Sequence, residues 1–157
     1  MAAAKKSKKP YAELSDIEKI QKNWNKIRGL MQREEWSSAI VRAATATEIA
    51  ANLVIREELG EGRGLPLALI DHLLRWANGI HGKFDKLILP VTKGGPIHAQ
   101  VKKLKARVED INFERNSVVH SGAFKTKTQA KKVISDSRAV IKELVDLYYD
   151  GFHLNST

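Results

Sequence analysis

The chain has 157 residues, 43% of them apolar and 29% charged, and its 27 lysines and arginines against 18 aspartates and glutamates give a formal net charge of +9. That length suits one domain with a sizeable core. The absence of cysteine excludes disulfides, thiolate catalysis and cysteine-ligated metal, and no uninterrupted apolar run approaches the roughly 18 residues of a membrane span.

Residues 1–11 read as a disordered basic tail, with Lys5, Lys6, Lys8 and Lys9 ahead of Pro10. The opening "MAAAKKSKKP" has no apolar segment, so it is not a secretory signal, and a cytoplasmic location is expected. The domain proper is expected over 12–153. Ser15 with Glu18 three residues on is a capping-box pattern. Ile17, Ile20, Trp24, Ile27 and Leu30 follow at helical spacing and predict a first helix over 16–33. A long alanine-rich helix is predicted over 35–59, with Gly60 as its stop and "GEGRG" as a loop. Pro66 suits the first turn of a third helix over 66–78. Residues 84–96 read as an irregular connection, and Pro90 argues against a strand in "KLILPV". Two more helices are predicted over 97–120, ended by Gly122, and over 127–150. Five helices and no convincing strand predict an all-α, compact five-helix bundle.

Most enzyme signatures are missing. There is no HExxH, no Walker A and no acidic or histidine cluster at metal-ligand spacing, so no metal and no cofactor are expected. Trp24, Trp36 and Trp76 read as core residues rather than base-stacking platforms. Charge is concentrated instead. The stretch 83–132 carries twelve lysines and arginines against four acids. Such asymmetry points to a polyanion, nucleic acid before membrane, with a solvated basic face as the plain alternative.

The fourth predicted helix carries the chemistry. Its apolar stripe is Ile97, Val101, Leu104, Val108 and Ile111, then Arg115, then Val118 and Val119. Arg115 falls within about 40° of Val108, Ile111 and Val119 on a helical wheel. Burying a guanidinium unpaired is very costly. Three resolutions exist: it snorkels at the bundle end, it pairs with a buried acid, or the stripe opens onto a groove that receives an anion. Asn116 and His120 are four apart and share a face, so the amide can orient the imidazole. Arginine, amide and histidine together suit phosphodiester chemistry, since arginine stabilises a charged transition state and histidine moves protons. RNA supplies its own nucleophile, the 2′-hydroxyl, without metal. One histidine cannot easily serve on both sides of the phosphorus; two chains, each giving one, can. A looser pairing, Arg75 to His81 in "RWANGIH", also occurs, but the stripe position and the following asparagine single out Arg115.

"RNSVVH", residues 115–120, resembles the R-N-x-x-x-H form of the motif of the HEPN superfamily. The resemblance covers the helical body, about residues 14–150, and only the short motif is specific. It implies a small all-α bundle that dimerises through its motif-bearing helices. It also implies a metal-independent endoribonuclease of toxin–antitoxin or antiviral defence systems, with an antitoxin or defence partner in some members. Carried over, Arg115 and His120 are catalytic and Asn116 is the polar residue after the arginine. Glu48 and Asn52, four apart on the second long helix, match the supporting acidic or amide position, with an exposed helix face as the alternative. Lys102, Lys103, Lys105, Arg107, Lys125, Lys127, Lys131 and Lys132 are expected to hold the RNA backbone. The pattern departs at Gly122. Members silenced by a nucleotidyltransferase often carry tyrosine there, so the resemblance does not extend that control to this chain. Two other readings stay open: a non-catalytic module of the same fold binding RNA, a nucleotide or a protein, and a plain helical interaction protein.

Overall fold

The computed structural model describes residues 8–157; the rest of the expected tail, 1–7, lies outside the described residues. Among these residues the fold is all-helical, with no strand. The helices are α1 (Asp16–Trp24), α2 (Ile27–Gln32), α3 (Trp36–Arg56), α4 (Leu67–Trp76), α5 (Gly79–Lys83), α6 (Leu89–Thr92), α7 (His98–Lys102), α8 (Lys105–Ser121) and α9 (Lys127–Asp146). Joined where only a kink or a wide turn separates them, they make six helical bodies among the described residues, one more than predicted.

The centre is α3, with α1, α5, α8 and α9 packed around it. Ala39, Ala43, Ala46, Ala50 and Ala51 are all fully buried there. Methyl side chains favour the helix and let four neighbours approach its backbone. By length and composition Trp36–Glu61 is apolar enough to cross a membrane, but 67% of its most apolar 18-residue window is buried inside the fold. Isolated polar residues break its apolar run, which hides it from a count of uninterrupted apolar residues. Gly60 does not stop it. The helix runs on through one wide turn, Glu57–Glu61, and Gly62 follows, where a Cβ would lie 2.7 Å from the Glu58 carbonyl oxygen.

The capping box at Ser15 is present, with Glu18 N–H donating to Ser15 Oγ and Ser15 N–H to the Glu18 carboxylate. The first predicted helix breaks at Asn25–Lys26 into α1 and α2. Of the expected irregular connection 84–96, residues 84–92 are helical and only 93–96 form a turn. Phe84–Ile88 form a wide helical turn and α6 continues it. Phe84, Leu87 and Ile88 are buried at i, i+3 and i+4, and Pro90 sits in the first turn of α6, just past the wide turn. The predicted fourth helix likewise breaks between α7 and α8. Gly122, at φ +61°, ends α8 in the left-handed conformation that glycine adopts without strain. Beyond α9 the chain folds back over α1. Phe152 and Leu154 are buried, Trp24 Nε1 donates to the Asn155 carbonyl at 3.0 Å, and Arg138 donates to the carbonyls of Leu154 and Asn155.

Candidate active site

On α8 the buried residues stop at Val108 and Ile111; nothing from Asn112 to Ser121 is buried. Val118 and Val119, read from the sequence as continuing the core stripe, are half-buried and exposed respectively. The apolar stripe therefore ends one turn before Arg115, and the helix runs on along an open cleft of about 440 Å³. Three elements line the cleft. Glu48 comes from α3, His81 and Gly82 from α5 with Lys86 beyond it, and Asn112, Arg115, Asn116 and His120 from α8.

The three motif residues are in mutual reach. Arg115 donates to Asn116 Oδ1 at 3.1 Å, and the same nitrogen lies 3.5 Å from His120 Nε2. No carboxylate lies within 4.0 Å of the Arg115 guanidinium among the described residues. Glu48 cannot serve it, because Lys83 holds Glu48. The Lys83 ammonium, 4% exposed, donates to Glu48 Oε1 at 2.9 Å and to the Ala77 carbonyl at 3.2 Å. A buried ammonium needs both partners, and the pairing fixes α5 against α3. Gly79 opens α5 at φ +74° and lines the same cleft.

The other expected site residues divide. Asn52 does not reach the cleft; one turn further along α3, its Oδ1 is buried without a hydrogen-bond partner. Lys102, Lys103, Arg107 and Lys131 are exposed. Lys103 and Arg107 border a separate groove with Gln100 and Glu143. Lys105 lies between Asp85 and Glu109 at 3.6 and 3.9 Å. Lys127 sits over the Trp36 ring. Lys125 is withdrawn from solvent, its side chain 8% exposed and 2.9 Å from Glu114. Lys132 bridges Asp136 and Asp110, and its hydrogen bond to Asp136 holds the ammonium above the ordinary lysine range.

Sequence reasoning passed over a cleft cation, an imidazole and the buried lysine that holds Glu48. Lys86 lines the cleft and sits 4.9 Å from the centre of the Trp76 ring. Trp76 is 56% exposed, not a core residue, whereas Trp24 is fully buried. Lys83 and His81 lay in the segment read as leading into an irregular connection. The one available signal was the Arg75-to-His81 spacing.

A second cleft, about 300 Å³, lies between α1 and α3 and is lined by Asp16, Arg56, Glu57 and Tyr149. Its polar groups are already paired: Arg56 with Asp16 at 2.7 Å, Tyr149 with Glu57 at 2.8 Å. Among the described residues, the α3–α5–α8 cleft combines an arginine free of carboxylates with two imidazoles. Compared with protein-family models, curated proteins and solved structures, the chain matches none.

Proposed function

We propose that this protein is a metal-independent endoribonuclease that cleaves RNA by attack of the 2′-hydroxyl on the adjacent phosphorus. One observation carries the reading. Arg115, Asn116 and His120 converge on an open cleft, and the arginine there has no carboxylate partner among the described residues. A guanidinium so placed is free to take the two non-bridging oxygens of a phosphodiester and stabilise the charge that builds on them. His120 moves protons, and Asn116 steadies the arginine. The resemblance of residues 115–120 to the HEPN motif supports the same reading and extends it to a homodimer joined at the motif-bearing helices, in a toxin–antitoxin or antiviral setting. Exposed Val119, beside His120, supplies an apolar contact for such a pairing. Lys102, Lys103, Arg107, Lys127 and Lys131 remain available to an RNA backbone, and Lys86 joins them at the cleft.

The test is cleavage of mixed-sequence RNA in excess chelator by the wild type and by His120→Ala, both shown to be folded and of equal oligomeric size. The expected outcome is cleavage by the wild type and a loss of about 10²- to 10⁴-fold in the variant. A strict requirement for added metal overturns the proposal. RNA bound equally by both proteins and cut by neither transfers the cleft to the binding-module reading.

A further inference from the structure

In-line displacement at phosphorus puts the attacking and leaving oxygens on opposite sides. Two proton transfers are needed, and His120 alone reaches one side. The cleft, however, holds a second imidazole. His81 comes from α5, a different element from the one that carries His120, and the two helices pack against each other.

The two rings are held differently. His81 Nε2 lies 3.0 Å from Asp85 Oδ2 and 3.9 Å from Glu109 Oε1. Ionised carboxylates accept and cannot donate, so Nε2 of this ring has only acceptors before it. Lys105 lies within 4 Å of both carboxylates on their other side. His120 Nε2 faces a guanidinium N–H at 3.5 Å. Arginine has no acceptor, so that nitrogen presents its lone pair. One ring faces acceptors, as a proton donor would, and the other faces a donor, as a base would. His81 is no core histidine, for its side chain is 42% exposed along the cleft wall. A contact that open adds little stability, about 0–1 kcal/mol.

Building on the ribonuclease reading, we infer that His81 is the general acid and His120 the general base of a single chain's cleft. His120 takes the 2′-hydroxyl proton as the 2′-oxygen bonds to phosphorus. The P–O5′ bond breaks with its electron pair on O5′, and His81 protonates that oxygen. The products are a 2′,3′-cyclic phosphate and a 5′-hydroxyl, and solvent restores the two protonation states. Pairing of two copies then shapes the RNA groove and is not what unites acid with base.

The experiment uses two dinucleotide substrates, ordinary RNA and its analogue with sulfur at the bridging 5′ position, whose thiolate leaves without protonation. His81→Ala is expected to lose about 10²- to 10⁴-fold on the oxygen substrate and to approach wild-type rate on the sulfur one. His120→Ala stays slow on both. His81→Gln, which keeps an N–H toward Asp85, guards against a folding defect and is expected to behave as His81→Ala does. A His81→Ala rate within a few fold of wild type on the oxygen substrate overturns the inference, and so does equal slowness on both. Mixing the two alanine variants is expected to leave cleavage at the sum of the separate rates; recovery above that sum moves the pair between chains and overturns the single-chain assignment. Wild type that cleaves neither substrate fails the ribonuclease reading itself, a result distinct from failure of His81 alone.

Discussion

Two arginines of this molecule sit in clefts of similar character and do opposite things. Arg56, on α3, gives both Asp16 oxygens a hydrogen bond at 2.7 Å, and its other nitrogen lies 3.8 Å from Asp71. Nearby, the hydrogen bond from Tyr149 to Glu57 holds that hydroxyl above the ordinary tyrosine range. The network is closed, with each donor facing an acceptor of suitable charge. Arg115 has Asn116 and His120 and, among the described residues, no carboxylate. Its nearest acid in the cleft, Glu48, is held by Lys83. The lesson concerns where neutralisation comes from. Arg56 finds its anion within the fold and contributes to stability. Arg115 is left to find its anion outside, and a site that binds phosphate requires that.

The largest expected effect tests this contrast directly. Arg115→Ala should lower RNA cleavage by about 10²- to 10³-fold, the usual loss when a group facing transition-state charge is removed. Its melting temperature should hold or rise, because no buried partner is orphaned. Arg115→Lys should recover little, since a point charge cannot bridge two phosphate oxygens. Arg56→Ala should do the reverse: cleavage per folded molecule unchanged, stability lower by about 1 kcal/mol through loss of a half-buried pair. Steady-state cleavage and thermal melts of the three variants decide it. Equal activity losses at Arg56 and Arg115 would erase the distinction.

The second effect is on stability and reaches the cleft through it. Lys83→Ala leaves Glu48 without its partner and empties a buried site. We expect about 2–3 kcal/mol of destabilisation, below the full range for buried pairs because Glu48 is 31% exposed. Lys83→Met with Glu48→Gln should return most of that stability while leaving α5 less firmly registered, so its cleavage should remain below wild type. Chemical denaturation gives the first quantity and kinetics at matched folded concentration the second. Full recovery of both would make the pair a packing device alone.

These comparisons also show what could be read from the chain beforehand. The motif was legible because Arg115 breaks an apolar period, and such a break needs only one helix to be seen. Ser15 with Glu18 and Gly122 were legible for the same reason: caps act within a few residues. Residues 84–92 were misread because glycine and proline outweigh a short apolar set in local reasoning. Phe84, Leu87 and Ile88 are helical because α3 and its neighbours supply a core for them to enter. Lys83 with Glu48 is a contact between residues 35 apart, and nothing in either neighbourhood announces it. His81 was visible only as a spacing with Arg75. Its place beside His120 depends on how α5 packs against α8, which no local pattern encodes.

The smallest expected effect gives the sharpest comparison, because it equalises stability and separates function. Gly79 and Gly122 both adopt left-handed backbone, at φ +74° and +61°. A Cβ at Gly122 would meet nothing within 4 Å, and one at Gly79 only Asn112 Oδ1 at 3.9 Å. Neither alanine clashes, so each should cost about 1 kcal/mol, the strain of that backbone region for a residue with a side chain. Their consequences should differ. Gly122 ends α8 beyond the last motif residue, and relaxation there moves the chain outside the cleft. Gly79 opens α5, and any relaxation of its φ re-aims the helix that carries His81 and Lys83. Gly122→Ala should therefore cleave RNA as the wild type does per folded molecule. Gly79→Ala, melting at a similar temperature, should lose about tenfold or more, as small misplacements of reacting groups do. Equal activities at equal stability would mean that α5 is not part of the working site, and His81 would fall with it.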